Sequence, residues 1–170
     1  MLIVNINGPI NSGKTTTSKL LIKELDNALF IEVDDLLSDD EQNKLGLSME
    51  DGWSERTKRL NSIVCREKLN KNYGIIIFTY PITANLYEEW KKWEDEGTRF
   101  INITLSPRLD ICVQNRGNRI LDEWEVARIK QMYLENYHCP NFSDLIIDNS
   151  EQTPEQTKNN ILSFLRSIIK

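Results

Sequence analysis

Cysteine is scarce in this 170-residue chain, and the three present, Cys65, Cys112 and Cys139, are odd in number and widely spaced. That excludes a disulfide framework and a zinc-ligand pattern. The cysteines are expected to be small buried apolar residues in a reduced, cytoplasmic compartment. Histidine occurs once, as His138 beside Cys139-Pro140, with no acidic or cysteine partner at ligand spacing, and reads as structural or solvated. Positive charge is outnumbered, with 21 Lys and Arg against 26 Asp and Glu for a net charge of -5. A surface built to follow nucleic acid or an anionic membrane is therefore not expected. No apolar run approaches transmembrane length, and Met1 passes straight into a strand without a leader pattern. Internal repeats and low-complexity segments are absent. The length suits one domain, residues 1–170, existing as a monomer or homodimer.

What is present starts with Gly8-Pro9-Ile10-Asn11-Ser12-Gly13-Lys14-Thr15, a full match to G-x-x-x-x-G-K-[ST]. The apolar run Leu2 to Ile6 precedes it as a buried strand. Thr16 to Asp26 continues from it as a helix with Leu20, Leu21 and Leu25 inward. In such a loop the backbone wraps an anion, successive N–H groups and the helix N-terminus face phosphates, and the lysine adds positive charge. Gly8, Asn11, Ser12, Gly13, Lys14, Thr15 and Thr16 are thus the candidate nucleotide-binding residues, with Thr15 also a candidate ligand for Mg²⁺.

Further strands are expected at Ala28–Val33, Ile75–Phe78, Arg99–Leu105 and Ser143–Asp148. Helices are expected from about Ser54 to Asn70, Thr83 to Glu96, Pro107 towards Asn115, Asp122 to Tyr137, and after the Thr153-Pro154 cap. Residues 39–52 read as a polar connection with one helical turn. Trp90 and Trp93 fall on the inward stripe of their helix as core. Strands alternating with helices imply an α/β fold, a parallel sheet covered on both faces with its site at the C-terminal strand ends.

Three features narrow the chemistry. Glu32 and Asp34, two apart at a strand end adjoining the phosphate loop, are expected on one face, where a carboxylate acts on Mg²⁺ or takes a proton from an attacking hydroxyl. Asp35 points elsewhere and is expected to cap the segment after it. Arg116-Gly117-Asn118-Arg119 suits a lid, spanning about residues 115–122, that brings charge to the transferred group, with stacking of one arginine on the base as the alternative. The guanine-reading N-K-x-D and the switch motif D-x-x-G are both missing, which argues against a GTPase. Thr79 stands where many ATPases carry an acidic metal ligand, which argues against a motor ATPase.

With these residues the chain resembles, nearly end to end, the P-loop small-molecule kinases of the shikimate kinase, gluconate kinase, chloramphenicol phosphotransferase and adenylylsulfate kinase group. Phe30 to Asp34 is similar to the shikimate kinase strand with two acids two apart, and Asp35 matches the second Asp of gluconate kinase. Arg116 to Arg119 is similar to the arginine-rich lid of the chloramphenicol enzymes, and Thr79-Tyr80-Pro81 to the Ser/Thr-x-x-Pro turn of adenylylsulfate kinase. Asp144 to Ser150 with Thr153 to Glu155 looks like the group's last strand and adenine-side loop.

The resemblance implies a three-layer fold with a five-stranded parallel sheet of order 2-3-1-4-5 and a short lid. It also implies transfer of the γ-phosphoryl of ATP to a hydroxyl of a small molecule. Lys14, Asp34, Arg116 and Arg119 would be catalytic, and Thr15, Glu32 and Asp34 would attend Mg²⁺. No shikimate-binding signature stands between Asp35 and Gly74. On the helix carrying Glu55, Arg56, Lys58 and Arg59 a solvated face is expected, with an anionic acceptor on Arg56 as the alternative. A nucleoside or nucleotide kinase, using Trp53, Tyr80 and Tyr87 for a second base, is the other enzyme reading. A nucleotide-binding switch or assembly module is the alternative of another class.

Overall fold

The computed structural model describes residues 1–115 and 119–169. Five parallel strands, β1 (Leu2–Asn7), β2 (Ala28–Glu32), β3 (Ile75–Thr79), β4 (Arg99–Leu105) and β5 (Leu145–Ile147), form one sheet in the order β2-β3-β1-β4-β5. This is the expected order.

The helices are α1 (Lys14–Leu21), α2 (Asp39–Lys44), α3 (Met49–Asn70), α4 (Ala84–Lys91), α5 (Leu109–Cys112), α6 (Glu123–Leu134) and α7 (Pro154–Ile168). Alternation along β1 divides the core between the two faces of the sheet. Leu2, Val4 and Ile6 join Leu21 of α1 and Ile161, Leu162 and Leu165 of α7. Ile3 joins Leu60 and Val64 of α3, Trp90 of α4 and Trp93 just after it. Trp90 is fully buried, so the inward reading of these tryptophans holds.

Several boundaries differ from those read in the sequence. The first helix ends at Leu21, and Ile22–Glu24 tighten into a 3-10 turn. Helix α3 begins five residues earlier than expected because Ser48 caps it, its hydroxyl accepting from Asp51 N at 3.1 Å. Gly52 lies inside its first turns, where a Cβ would sit 2.4 Å from Gln42 Oε1. The glycine that suggested a loop thus serves close packing of α2 on α3. Helix α4 stops at Lys91, before Gly97. Helix α5 is a single turn. The capping box predicted for α7 is present, Thr153 Oγ1 accepting from Gln156 N at 3.2 Å and Gln156 Oε1 from Thr153 N at 2.8 Å.

Of the cysteines only Cys112 is buried; Cys65 and Cys139 are exposed, because they fall on the outer side of α3 and on the turn after α6. That corrects the expectation that all three are core. No helix among the described residues is long and apolar enough to cross a membrane.

Candidate active site

The segment between β1 and α1 is built around left-handed backbone. Gly8, Asn11 and Gly13 have φ of 135°, 63° and 93°. At Gly8 a Cβ would lie 2.4 Å from the backbone oxygen of Leu105, so the loop can pass β4 only with glycine there. Gly8→Ala is expected to cost about 1–3 kcal/mol, from positive φ and a backbone clash, read as a lowered urea midpoint with unchanged slope.

Gly13 occupies the position before α1, leaving the first amides of that helix without partners inside it, which is a ready anion cradle. Ser12 is buried, its carbonyl receives Asn149 Nδ2 at 3.0 Å, and its hydroxyl is buried without a partner among the described residues. Asn11 Nδ2 donates to the carbonyls of Cys112 and Gln114, at 2.8 Å each, tying the loop to the chain that leads into the expected lid. Lys14 Nζ donates to the carbonyls of Gly8 at 3.0 Å and Pro9 at 2.7 Å. An ammonium has three donors, so one remains. Burial lowers the Lys14 pKa to about 8; Cys112, Asp34 and Glu32 pull it upward and Arg119 downward.

The two acids meet this loop by a different route from strand alternation. Glu32 is the last residue of β2, and Asp34 opens a 3-10 turn, Asp34–Leu36, pinned by buried Val33. Both still line the cavity that holds Lys14 and Thr15, with β3 lying between β2 and β1. Thr79 is the register partner of Glu32, and its Oγ1 donates to Glu32 Oε1 at 2.7 Å. The residue that lacked an acid on β3 therefore orients the acid on β2. Asp35 lies inside the 3-10 turn, and the cap of α2 is Ser38, which accepts from Glu41 N at 3.2 Å; this corrects the capping role expected of Asp35.

Thr15, Glu32 and Asp34, which line the same cavity, carry hard oxygen donors of the kind Mg²⁺ takes together with phosphate and water. Among the described residues no cluster of three or more His, Cys, Asp or Glu forms a dedicated metal cage. The residues fit a phosphate-borne Mg²⁺ and not an all-protein site.

Beneath the cavity lies a polar layer that motif reading missed. Asn5 Nδ2 donates to the Tyr80 carbonyl at 3.0 Å and to Asn102 Oδ1 at 2.9 Å, while its Oδ1 accepts from Tyr80 N at 3.0 Å. Asn7 Oδ1 accepts from Ile82 N at 3.1 Å, and its Nδ2 donates to Thr104 Oγ1 at 2.8 Å. These buried amides fix the turn that presents Tyr80 and Pro81. Their signal in the sequence was two asparagines at period two in an otherwise apolar strand.

Arg56 and Arg59 correct the reading of a solvated face. Arg56 is 8% exposed, donating to the Leu37 carbonyl at 2.6 Å and to Gln42 Oε1 at 3.0 Å. Arg59 donates to the Leu36 carbonyl at 2.7 Å and pairs with Glu41 and Glu55. The two guanidiniums fasten residues 36–42 to α3. Arg119 is half exposed, lines the cavity and pairs with Glu125 of α6. Arg116, Gly117 and Asn118 lie outside the described residues. Trp53 and Tyr80 line the cavity, whereas Tyr87 packs against Phe142 at 4.9 Å and Phe100 at 5.8 Å, away from it. His138 stacks on Tyr133 at 4.6 Å, and burial lowers its pKa.

One cavity of about 890 Å³ thus joins the phosphate loop, the paired acids and the turn at Tyr80. It also takes in Asn149, Gln152, Pro154 and Thr157 from the segment after β5, and Trp124, Arg128 and Tyr137 from α6 and the turn after it. No protein family model matches the sequence. Shikimate kinase of Sulfurihydrogenibium sp. (strain YO3AOP1) is 24% identical over 169 residues, spanning 94% of this chain and 95% of that protein. Over nearly its whole length, then, the chain is similar to a small-molecule kinase.

Among solved folds of this group, the gluconokinase of Sinorhizobium meliloti 1021 superposes with a TM-score of 0.65 at 16% identity, covering 98% of this chain and 91% of that one. The APS kinase of Mycobacterium tuberculosis, solved with AMPPNP and APS, gives 0.63 at 17% identity, with 96% of each chain covered. At such identities the structural likeness speaks for the fold. The likeness to a kinase in sequence is that of the shikimate kinase, which runs nearly the full length of both chains.

Proposed function

We propose that the protein transfers the γ-phosphoryl group of ATP to a hydroxyl of a small molecule. The observation that carries this reading is that a single cavity of about 890 Å³ contains the phosphate loop with Lys14 and the carboxylates of Glu32 and Asp34, with room beside them.

In this reading the first-turn amides of α1 and Lys14 hold the β- and γ-phosphates. Asn149, Gln152 and Pro154 wall the side away from Asp34, where the nucleoside lies. Mg²⁺, when bound, neutralises phosphate charge. Thr15, Glu32 and Asp34 would hold it, and Thr79 keeps one oxygen of Glu32 in a hydrogen bond. Asp34 orients the acceptor hydroxyl and takes its proton as the new O–P bond forms and the bond to the β,γ-bridging oxygen breaks, releasing ADP. Arg119, with Arg116 as the second lid arginine, closes over the transferred group. Arg119 must first exchange Glu125 for phosphate, which makes lid closure dependent on nucleotide.

The test is ADP formation by purified protein with ATP and Mg²⁺ across sugars, hydroxy acids, nucleosides and aminoglycoside or phenicol antibiotics. Acceptor-dependent ADP release with a phosphorylated product is expected for at least one class. Nucleotide binding with no product across the whole panel would sink the transferase reading.

A further inference from the structure

The acceptor end of the cavity is walled by Asp34, Glu50, Trp53, Tyr80, Trp124 and Tyr137. Trp53 is 38% exposed and Trp124 56% exposed, an unusual amount of open indole at one mouth. Trp53 meets Tyr80 edge to face, with centroids 5.7 Å apart and planes at 71°, and the Arg56 guanidinium lies over its ring at 5.1 Å. Arg56, anchored by Leu37 and Gln42, therefore fixes the indole from behind and acts as a positioning residue.

The charges of this wall are one-sided. Arg56 is not part of the lining, and Arg59 is spent on Glu41 and Glu55. Arg128 does line the cavity, but its guanidinium pairs with Glu135 at 2.8 Å and lies over the Tyr137 ring at 5.8 Å. Arg119 pairs with Glu125. Among the described residues, then, every arginine near the acceptor end already has a carboxylate or carbonyl partner, while Asp34 and Glu50 open to the cavity. A carboxylate placed there would meet two acids, and any guanidinium that turned to it would first have to leave its present partner.

We propose that the acceptor is an uncharged hydroxyl compound carrying a flat ring, of the nucleoside type, held by the indole of Trp53 with Tyr80, and that carboxylate-bearing alcohols are rejected. The proposal rests on the kinase reading for its direction, since the ring must seat with a hydroxyl towards Asp34. Glu50 supplies an acceptor for a ring N–H or a sugar hydroxyl, and aromatic contact supplies affinity without counter-charge.

Equilibrium binding by calorimetry, with protein saturated by ADP and Mg²⁺, compares uridine, cytidine and adenosine with shikimate and D-gluconate. The expected result is that at least one nucleoside binds about tenfold or more tightly than either carboxylate. Trp53→Leu should weaken that nucleoside roughly tenfold, and Trp53→Phe should restore most of it, with melting temperatures reporting that both variants fold. Equal or tighter binding of a carboxylate, binding of neither class, or indifference to Trp53→Leu overturns the proposal. Transfer of radiolabelled phosphoryl from ATP, measured in parallel, separates the two readings. Nucleoside binding with no transfer to any compound of the wider acceptor panel sinks the kinase reading and leaves the ring-binding site standing. Transfer to shikimate or gluconate does the reverse.

Discussion

Asp34→Asn is expected to lower phosphoryl transfer by about 10²–10⁴-fold while leaving the affinity for ATP within about twofold. The amide keeps the size of the side chain and its place at the start of the 3-10 turn, where the residue is exposed and no packing depends on it. What it removes is the capacity to accept a proton at the cavity wall. Glu32 is poorly placed to substitute, since one of its oxygens is already occupied by the Thr79 hydroxyl at 2.7 Å. Calorimetric titration with ATP and a product assay on the same preparation separate the two effects. Turnover that persists within about tenfold would mean that proton removal lies with solvent or with the acceptor itself.

Lys14→Ala should act on both steps, lowering turnover by about 10²–10³-fold and weakening nucleotide binding, because the ammonium faces charge in the ground state and more of it in transfer. The substitution also removes the donors to the Gly8 and Pro9 carbonyls, so the loop loses two internal ties. Lys14→Arg is not a rescue. A planar fork cannot sit where a compact point charge with three donors bridges two carbonyls.

The same residue sets a pH dependence whose sign differs for binding and for stability. Burial holds Lys14 near 8 in the folded protein against 10.5 for an ordinary lysine. Phosphate favours the charged form, so nucleotide affinity should be flat below about pH 7 and fall, by up to about tenfold per unit, as pH rises above about 8. Proton uptake on binding in that range, read from calorimetry in buffers of different ionisation enthalpy, checks it. For folding without nucleotide the unfolded chain binds more protons between about 8 and 10.5, so the Lys14 contribution to stability rises with pH across that window. It is complete above the unfolded value and lost as pH falls through the folded one.

Particular residues show where pattern reading reached its limit. Alternation along β2 was the reason given for placing Glu32 and Asp34 together, yet the strand ends at Glu32 and a 3-10 turn carries Asp34 to the same cavity. The pairing held while its geometry changed, because a turn anchored by buried Val33 delivers the carboxylate as well as a strand would. Arg56 and Arg59 went the other way. In sequence they read as a charged surface stripe, since four charged residues within five positions, with Glu55 and Arg59 at i,i+4, is what exposed helices show. Burial came from residues 36–42, whose carbonyls fold back over α3. Helix periodicity contains no information about what a preceding segment will cover.

The loop from Gly8 to Thr15 and the strand and helix flanking it were legible in the sequence alone, while the order of the sheet followed from the family resemblance. Glycine at positive φ, a lysine at fixed spacing and apolar runs buried on both faces are local requirements with few structural solutions. Tertiary structure decided the rest of the site: which acid Thr79 orients, that Arg56 braces Trp53 and is withheld from the cavity, and that the acceptor end carries indoles and acids with its arginines already partnered. Those properties depend on contacts between residues tens of positions apart, and only packing brings such residues together.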